Sequence, residues 1–224
     1  MRRIVGFCFV LLVCGCTASQ QFTPPARGGG PIAAGAQVLL IQSDIKFYVI
    51  TAGGVSEPQP DWTEKARSNF VSATRRELAK HGHSLTTVDP NAVEEALTQY
   101  QKLLGAVLGT MFGFPLPSKH GAFDYSLGPG VSFLKDRYGA DYALFVSYHD
   151  SRASGGQQAK AILAGMFGVY GLNTGGQSGF ASLIDLTTGD IVWSNFVGLG
   201  TGDLREPDGA DTTVSVLFEG MGGG

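Results

Sequence analysis

The spacing of apolar residues changes period several times along this chain, and each change predicts an element. Residues 38–42 (VLLIQ) are a short apolar run between Gly35 and Ser43-Asp44, suited to a buried strand, and residues 46–50 predict a second extended piece. The period then lengthens. Trp62, Ala66, Phe70, Ala73 and Leu78 recur at helical spacing, with Asp61-Trp62-Thr63-Glu64 as a capping box at the start and Gly82 at the end. Residues 83–88 (HSLTTV) alternate as a strand does, and Asp89-Pro90 then supplies a cap and a first-turn proline. The second helix is striped by Val93, Leu97, Tyr100, Leu104, Val107, Leu108 and Met111, and its Gly105 and Gly109, four apart, permit close packing.

A loop rich in proline and glycine over 114–129 leads to a short helix through Val131, Leu134 and Tyr138, ended by Gly139. Residues 141–148 (DYALFVSY) predict the central strand. Residues 180–186 and 191–197 predict a hairpin turning at Thr187-Thr188-Gly189-Asp190, and 208–218 a final helix. This order predicts an α/β or α+β fold: a mixed β-sheet with an antiparallel C-terminal hairpin, packed by helices. Residues 154–179 fit no single period, because Ala159, Ile162, Leu163, Met166, Phe167, Val169 and Tyr170 are interspersed with many glycines.

Composition bounds the class. The chain has 224 residues, 43% hydrophobic and 16% charged, which excludes wholesale disorder. The net charge of −3 gives no basic field for nucleic acid. Arg2 and Arg3 precede the ten-residue apolar stretch IVGFCFVLLV, too short to span a bilayer as a helix and suited to a secretory signal. That stretch runs into Val13-Cys14-Gly15-Cys16, which resembles the lipobox of bacterial lipoproteins. The resemblance implies cleavage before Cys16 and acylation of its sulfur, and Thr17, in place of a retention aspartate, implies the outer membrane. All three cysteines lie in this segment, so the mature body has no disulfide, cysteine-based zinc site or thiol nucleophile of its own.

The expected organisation is a signal peptide over 1–15, a lipidated Cys16 with a flexible linker over 16–35, and one periplasmic domain over 36–219 carrying a glycine-rich insert at 154–179. The linker, with Pro24, Pro25 and three consecutive glycines, is long enough to let the domain stand off the membrane.

Three pieces, DWTEKARSNFVSATRRELAKHGHSLTTVD, GADYALFVSYHDS and GFASLIDLTTGDIVWSNF, resemble a loose group of bacterial envelope lipoproteins. The group includes the curli-secretion channel lipoprotein and the lipoprotein activator of penicillin-binding proteins. The resemblance covers roughly residues 36–219 and implies a domain that works by binding or assembling. The hairpin itself, with Asp185, Asp190 and Trp193, is explained by turn chemistry and a core aromatic.

Candidate chemistry is sparse. His81 and His83 flank Gly82 at a helix end, where capping explains them better than metal ligation. His149-Asp150 follows the central strand, where ligands often bind, but Ser147, His149 and Asp150 are too close in sequence to assemble a triad unaided. The glycine runs 198–202 and 171–179 match neither phosphate-binding fingerprint. Glu94 and Glu95 are adjacent on a helix and point apart. The sequence therefore predicts no catalytic residue, no metal site and no cofactor.

The insert is the best candidate surface. Ile162, Leu163, Met166, Phe167 and Tyr170 suit self-association or docking of an envelope protein, and they suit equally an insertion folded back on its own sheet. The expectation is an outer-membrane lipoprotein on the periplasmic face, an assembly or accessory factor held to the membrane by its lipid anchor. The alternatives are a subunit of an oligomeric secretion channel, against which 154–179 lacks barrel-strand alternation, and an envelope enzyme using His149 and Asp150.

Overall fold

The computed structural model describes residues 18–22, 32–41, 44–88, 95–113, 116–120, 123–198 and 202–221. The signal segment, Cys16 and the Asp89-Pro90 cap lie outside them.

Among the described residues, eight strands make one mixed sheet. In chain order they are β1 (Ala18–Phe22), β2 (Gln37–Leu40), β3 (Asp44–Ile50), β4 (Ser56–Pro58), β5 (Ser84–Thr87), β6 (Tyr142–Ala153), β7 (Gly175–Asp185) and β8 (Ile191–Gly198). The helices are α1 (Pro60–Lys80), α2 (Glu95–Leu108), α3 (Ser132–Tyr138), α4 (Gly155–Met166) and α5 (Pro207–Leu217). The spatial order is β1-β8-β7-β6-β2-β5. On the edge of β6 away from β7, β2 pairs in parallel with its first residues and β3 in parallel with its last, while β4 folds back on β3. The fold is α/β, with the antiparallel β7–β8 hairpin that the sequence predicts.

β6 is the axis of the molecule, and its period of two explains why. Leu144, Val146 and Tyr148 enter a core with Phe47, Phe70, Trp193 and Val214, under α1 and α5. Ala143 and Phe145 enter a second core with Leu104, Leu134 and Ile184, under α2 and α3. Helices therefore cover both faces of the sheet. Trp193 is fully buried and meets Phe218 edge-on at 6.5 Å between centroids.

Several boundaries depart from the sequence reading. α1 begins one residue before Asp61, with Pro60 in its first turn and Gln59 as a cap that makes no side-chain bond, so Asp61 adds charge near the helix start and does not cap it. α2 continues into a π-helical turn at Gly109–Gly113. A methyl group added at Gly105 or at Gly109 would meet nothing within 4 Å, so neither glycine mediates close packing. At the N-terminus, Ala18–Phe22 is a strand paired along β8 where the sequence predicts flexible linker. This pairing also covers β8, which would otherwise have been an open edge of the sheet.

Candidate interaction surface

The insert begins where β6 ends and returns where β7 begins. Ser154 caps α4, its hydroxyl accepting from the Gln157 amide at 3.2 Å, and its own amide donates to the Ile50 carbonyl at 2.8 Å. Gln157 is buried, and its Nε2 donates to the Asn173 carbonyl at 3.0 Å, tying the helix to its return segment. Lys160 reaches the Ala52 carbonyl in the β3–β4 turn at 3.4 Å. At the return, Gly175 has φ +101°, and a Cβ there would collide with the Ser151 carbonyl, so only glycine lets β7 start beside the end of β6.

On this mount the helix is inside out. Its inward face carries buried Gln157 and the half-buried small residues Ala161, Ala164 and Gly165, and the helix ends with the Val169 N–H donating a hydrogen bond to the Ala164 carbonyl at 2.9 Å. The large apolar residues face away. Met166 is 74% exposed, Phe167 84% and Tyr170 83%, with Ile162, Leu163 and Val169 also above half. The bulky side chains of this segment are thus left to solvent, and the helix approaches the rest of the domain at its start, where Gly156 lies beside Ala52.

Beneath the excursion lies a charged network. Asp150 is 1% exposed and accepts from Arg152 at 2.9 Å and from Gln177 Nε2 at 2.9 Å. Arg152 also pairs with Asp203 at 3.3 Å, Arg205 bonds Asp203 at 2.7 Å, and the Arg205 guanidinium lies 4.3 Å from the Trp62 ring centroid. Hydrogen bonds from Arg205 hold the Asp203 carboxyl below its ordinary value against the opposing effect of burial. The network joins β6, β7, α1 and the segment before α5, and it fixes the end of the sheet from which α4 projects.

No family model matches the chain, and no curated protein does. Among solved structures it is similar to the PelC dodecamer from Paraburkholderia phytofirmans, at 13% identity and a TM-score of 0.46, over 92% of this chain and 97% of that one. A single-substitution variant of the same dodecamer is similar at 14% identity, again with a TM-score of 0.46, over 92% and 98%. At this level of likeness the neighbours say nothing of this chain's activity or assembly.

The other sequence candidates separate. His149 and Asp150, adjacent on β6, point to opposite faces: His149 is exposed, with Nε2 3.4 Å from Asp44, while Asp150 is sealed in the charged network. They do not converge on one substrate. Asp44 in turn is partly desolvated, yet Lys46 and His149 together lower its pKa. His81 ends α1 beside Glu77 at 3.7 Å, as a capping residue should. His83 instead is buried, and that burial lowers its pKa, so it is a neutral core imidazole and not a charged partner for the helix end. Cys16 and Glu94 lie outside the described residues. A cleft of about 820 Å³ beside Phe47, Glu64, Arg67 and Val88 is a feature the sequence did not predict, since its walls come from five separate elements, β2, β3, β4, α1 and β5. Among the described residues, no helix is long and apolar enough to cross a membrane.

Proposed function

We propose that this chain is a non-enzymatic lipoprotein of the outer membrane, facing the periplasm, that serves as an assembly or accessory factor for an envelope complex. The observation that carries the reading is the α4 excursion: a helix tied down through Ser154, Gln157 and Lys160 that turns its small residues inward and its large apolar residues outward is built to be covered by something else. The lipobox-like Val13-Cys14-Gly15-Cys16 supports the anchor, and Thr17 supports the outer membrane. Two or three acyl chains on Cys16 hold stably where one is marginal. Acidic side chains outnumber basic ones, which supports a protein partner or membrane over nucleic acid.

Cys16→Ser tests this reading. The native chain incorporates labelled palmitate and fractionates with outer membranes; the variant does neither. A native chain that fractionates with cytosol, or whose mature N-terminus is unmodified by mass spectrometry, overturns it. Size measurement after detergent extraction separates the accessory factor, a monomer or dimer, from a channel subunit, a ring of many copies. The helical form of residues 155–166 supports the accessory role, because a barrel hairpin needs two alternating strands of about ten residues.

A further inference from the structure

Strand register brings two distant parts of the chain to one end of the sheet. Ala18 at the start of β1 pairs with Gly198, Gly198 with Ser178, and Ser178 with His149, a row in the last half of β6, toward the end that gives way to α4. β1 and β6 are three strand spacings apart, about 14 Å. Cys16 is two residues before Ala18, and covalent geometry keeps it within about 7 Å. The chain therefore enters the sheet at the end from which the apolar excursion leaves.

Exposure is concentrated at the same end. Among the described residues, ten large hydrophobic side chains are exposed, and six of them belong to the excursion: Ile162, Leu163, Met166, Phe167, Val169 and Tyr170. A seventh, Val55, is in the β3–β4 turn that touches α4 through Ala52. Over residues 154–179 there is no acidic side chain and one basic one, Lys160.

We propose that the excursion seats on the lipid surface of the membrane that holds Cys16, with α4 and its return loop in the headgroup region. The membrane identity rests on the reading of Cys16 as acylated; the lipid preference rests on the excursion alone. An apolar face beside an unopposed lysine, with a tyrosine at its margin, suits that zone, where apolar side chains reach the acyl boundary and Tyr lies at headgroup depth. The one charge of the segment is basic and none is acidic, which suits anionic headgroups. Acyl chains alone leave a domain free to swivel. A second contact at the same end of the sheet but set apart from the first fixes its tilt and turns the opposite end, with the Thr187–Gly189 turn, toward the periplasm.

The test uses the full chain, purified from membranes and placed in vesicles of phosphatidylethanolamine and phosphatidylglycerol. Phe167→Trp and, as a second variant, Tyr170→Trp report the excursion; Thr188→Trp reports the far end, and the unsubstituted chain gives the Trp62 and Trp193 background. Brominated lipids should quench position 167 or 170 and spare 188, and iodide in the water should do the reverse. If 167 and 170 resist brominated lipid as 188 does, the proposal fails, whether iodide reaches them or a second copy or protein partner shields them. Mass spectrometry of the same sample reads acylation separately, so an unmodified N-terminus with quenching intact defeats the lipoprotein reading and leaves the lipid contact standing.

Discussion

Asp150 carries more structural weight than its position after the central strand suggests. It is sealed from solvent and held by Arg152 and Gln177, so Asp150→Asn removes a charge from the middle of a network while leaving its volume. Loss of charge-assisted bonds predicts destabilisation of about 1–3 kcal/mol, softened because Arg152 keeps Asp203. Urea denaturation measures it, and a variant as stable as the native chain would show the network to be neutral. His83 gives a pH dependence. Burial, then the neighbouring His81, lowers its folded pKa, whereas the unfolded imidazole takes up its proton near the ordinary value of about 6.5. Protons therefore favour the unfolded chain in that interval: this contribution is full above about pH 6.5 and is lost as pH falls from there toward the folded value. His83→Leu should flatten the stability curve just below about pH 6.5, and a curve of unchanged slope there would refute the assignment.

At the scale of elements, the excursion and the hairpin both depend on a glycine the backbone cannot replace. Gly175→Ala forces the start of β7 away from Ser151, and Gly189→Ala meets the Gly128 carbonyl at φ +81°. Both should lower the melting temperature, and Gly175→Ala should also loosen α4, read as faster proteolysis within residues 155–174 while the rest of the domain resists. Cleavage rates equal to the native chain's would show that α4 is held by its other bonds alone. Gln157→Ala is the milder version, since Ser154 still caps the helix. Of these elements, α1, β6 and the hairpin were legible because burial repeats at their own period, every third or fourth residue for Ala66, Phe70 and Ala73 and every second for Leu144, Val146 and Tyr148. β1 was not, since ASQQF carries no alternation and becomes a strand through the backbone groups of β8. α4 was obscured by glycines and by a polarity turned inside out.

For the whole molecule, the passage of β6 through both cores predicts one cooperative unit. Leu144→Ala thins the core under α1 and α5, and Phe145→Ala the core under α2 and α3. Each should destabilise the domain by about 2–5 kcal/mol and shift the same single transition, read by calorimetry. Two separated transitions in either variant would show that the layers unfold apart. The N-terminal strand alters the expected reach as well. With residues 18–22 paired along β8, that stretch belongs to the sheet and is no part of a free tether.

Sequence alone determined the α/β class, the central strand and the hairpin, because hydrophobic period and turn chemistry are local properties that each segment carries with it. It also supplied the lipobox-like motif, which is read by covalent spacing. Only the tertiary structure decided that His149 and Asp150 part, that His83 is buried and that Phe167 and Tyr170 face solvent. Strand register alone set residue 18 and α4 at one end of the sheet. Those facts depend on which distant backbones pair and which faces they cover, and a single pattern of polar and apolar residues is compatible with several such pairings.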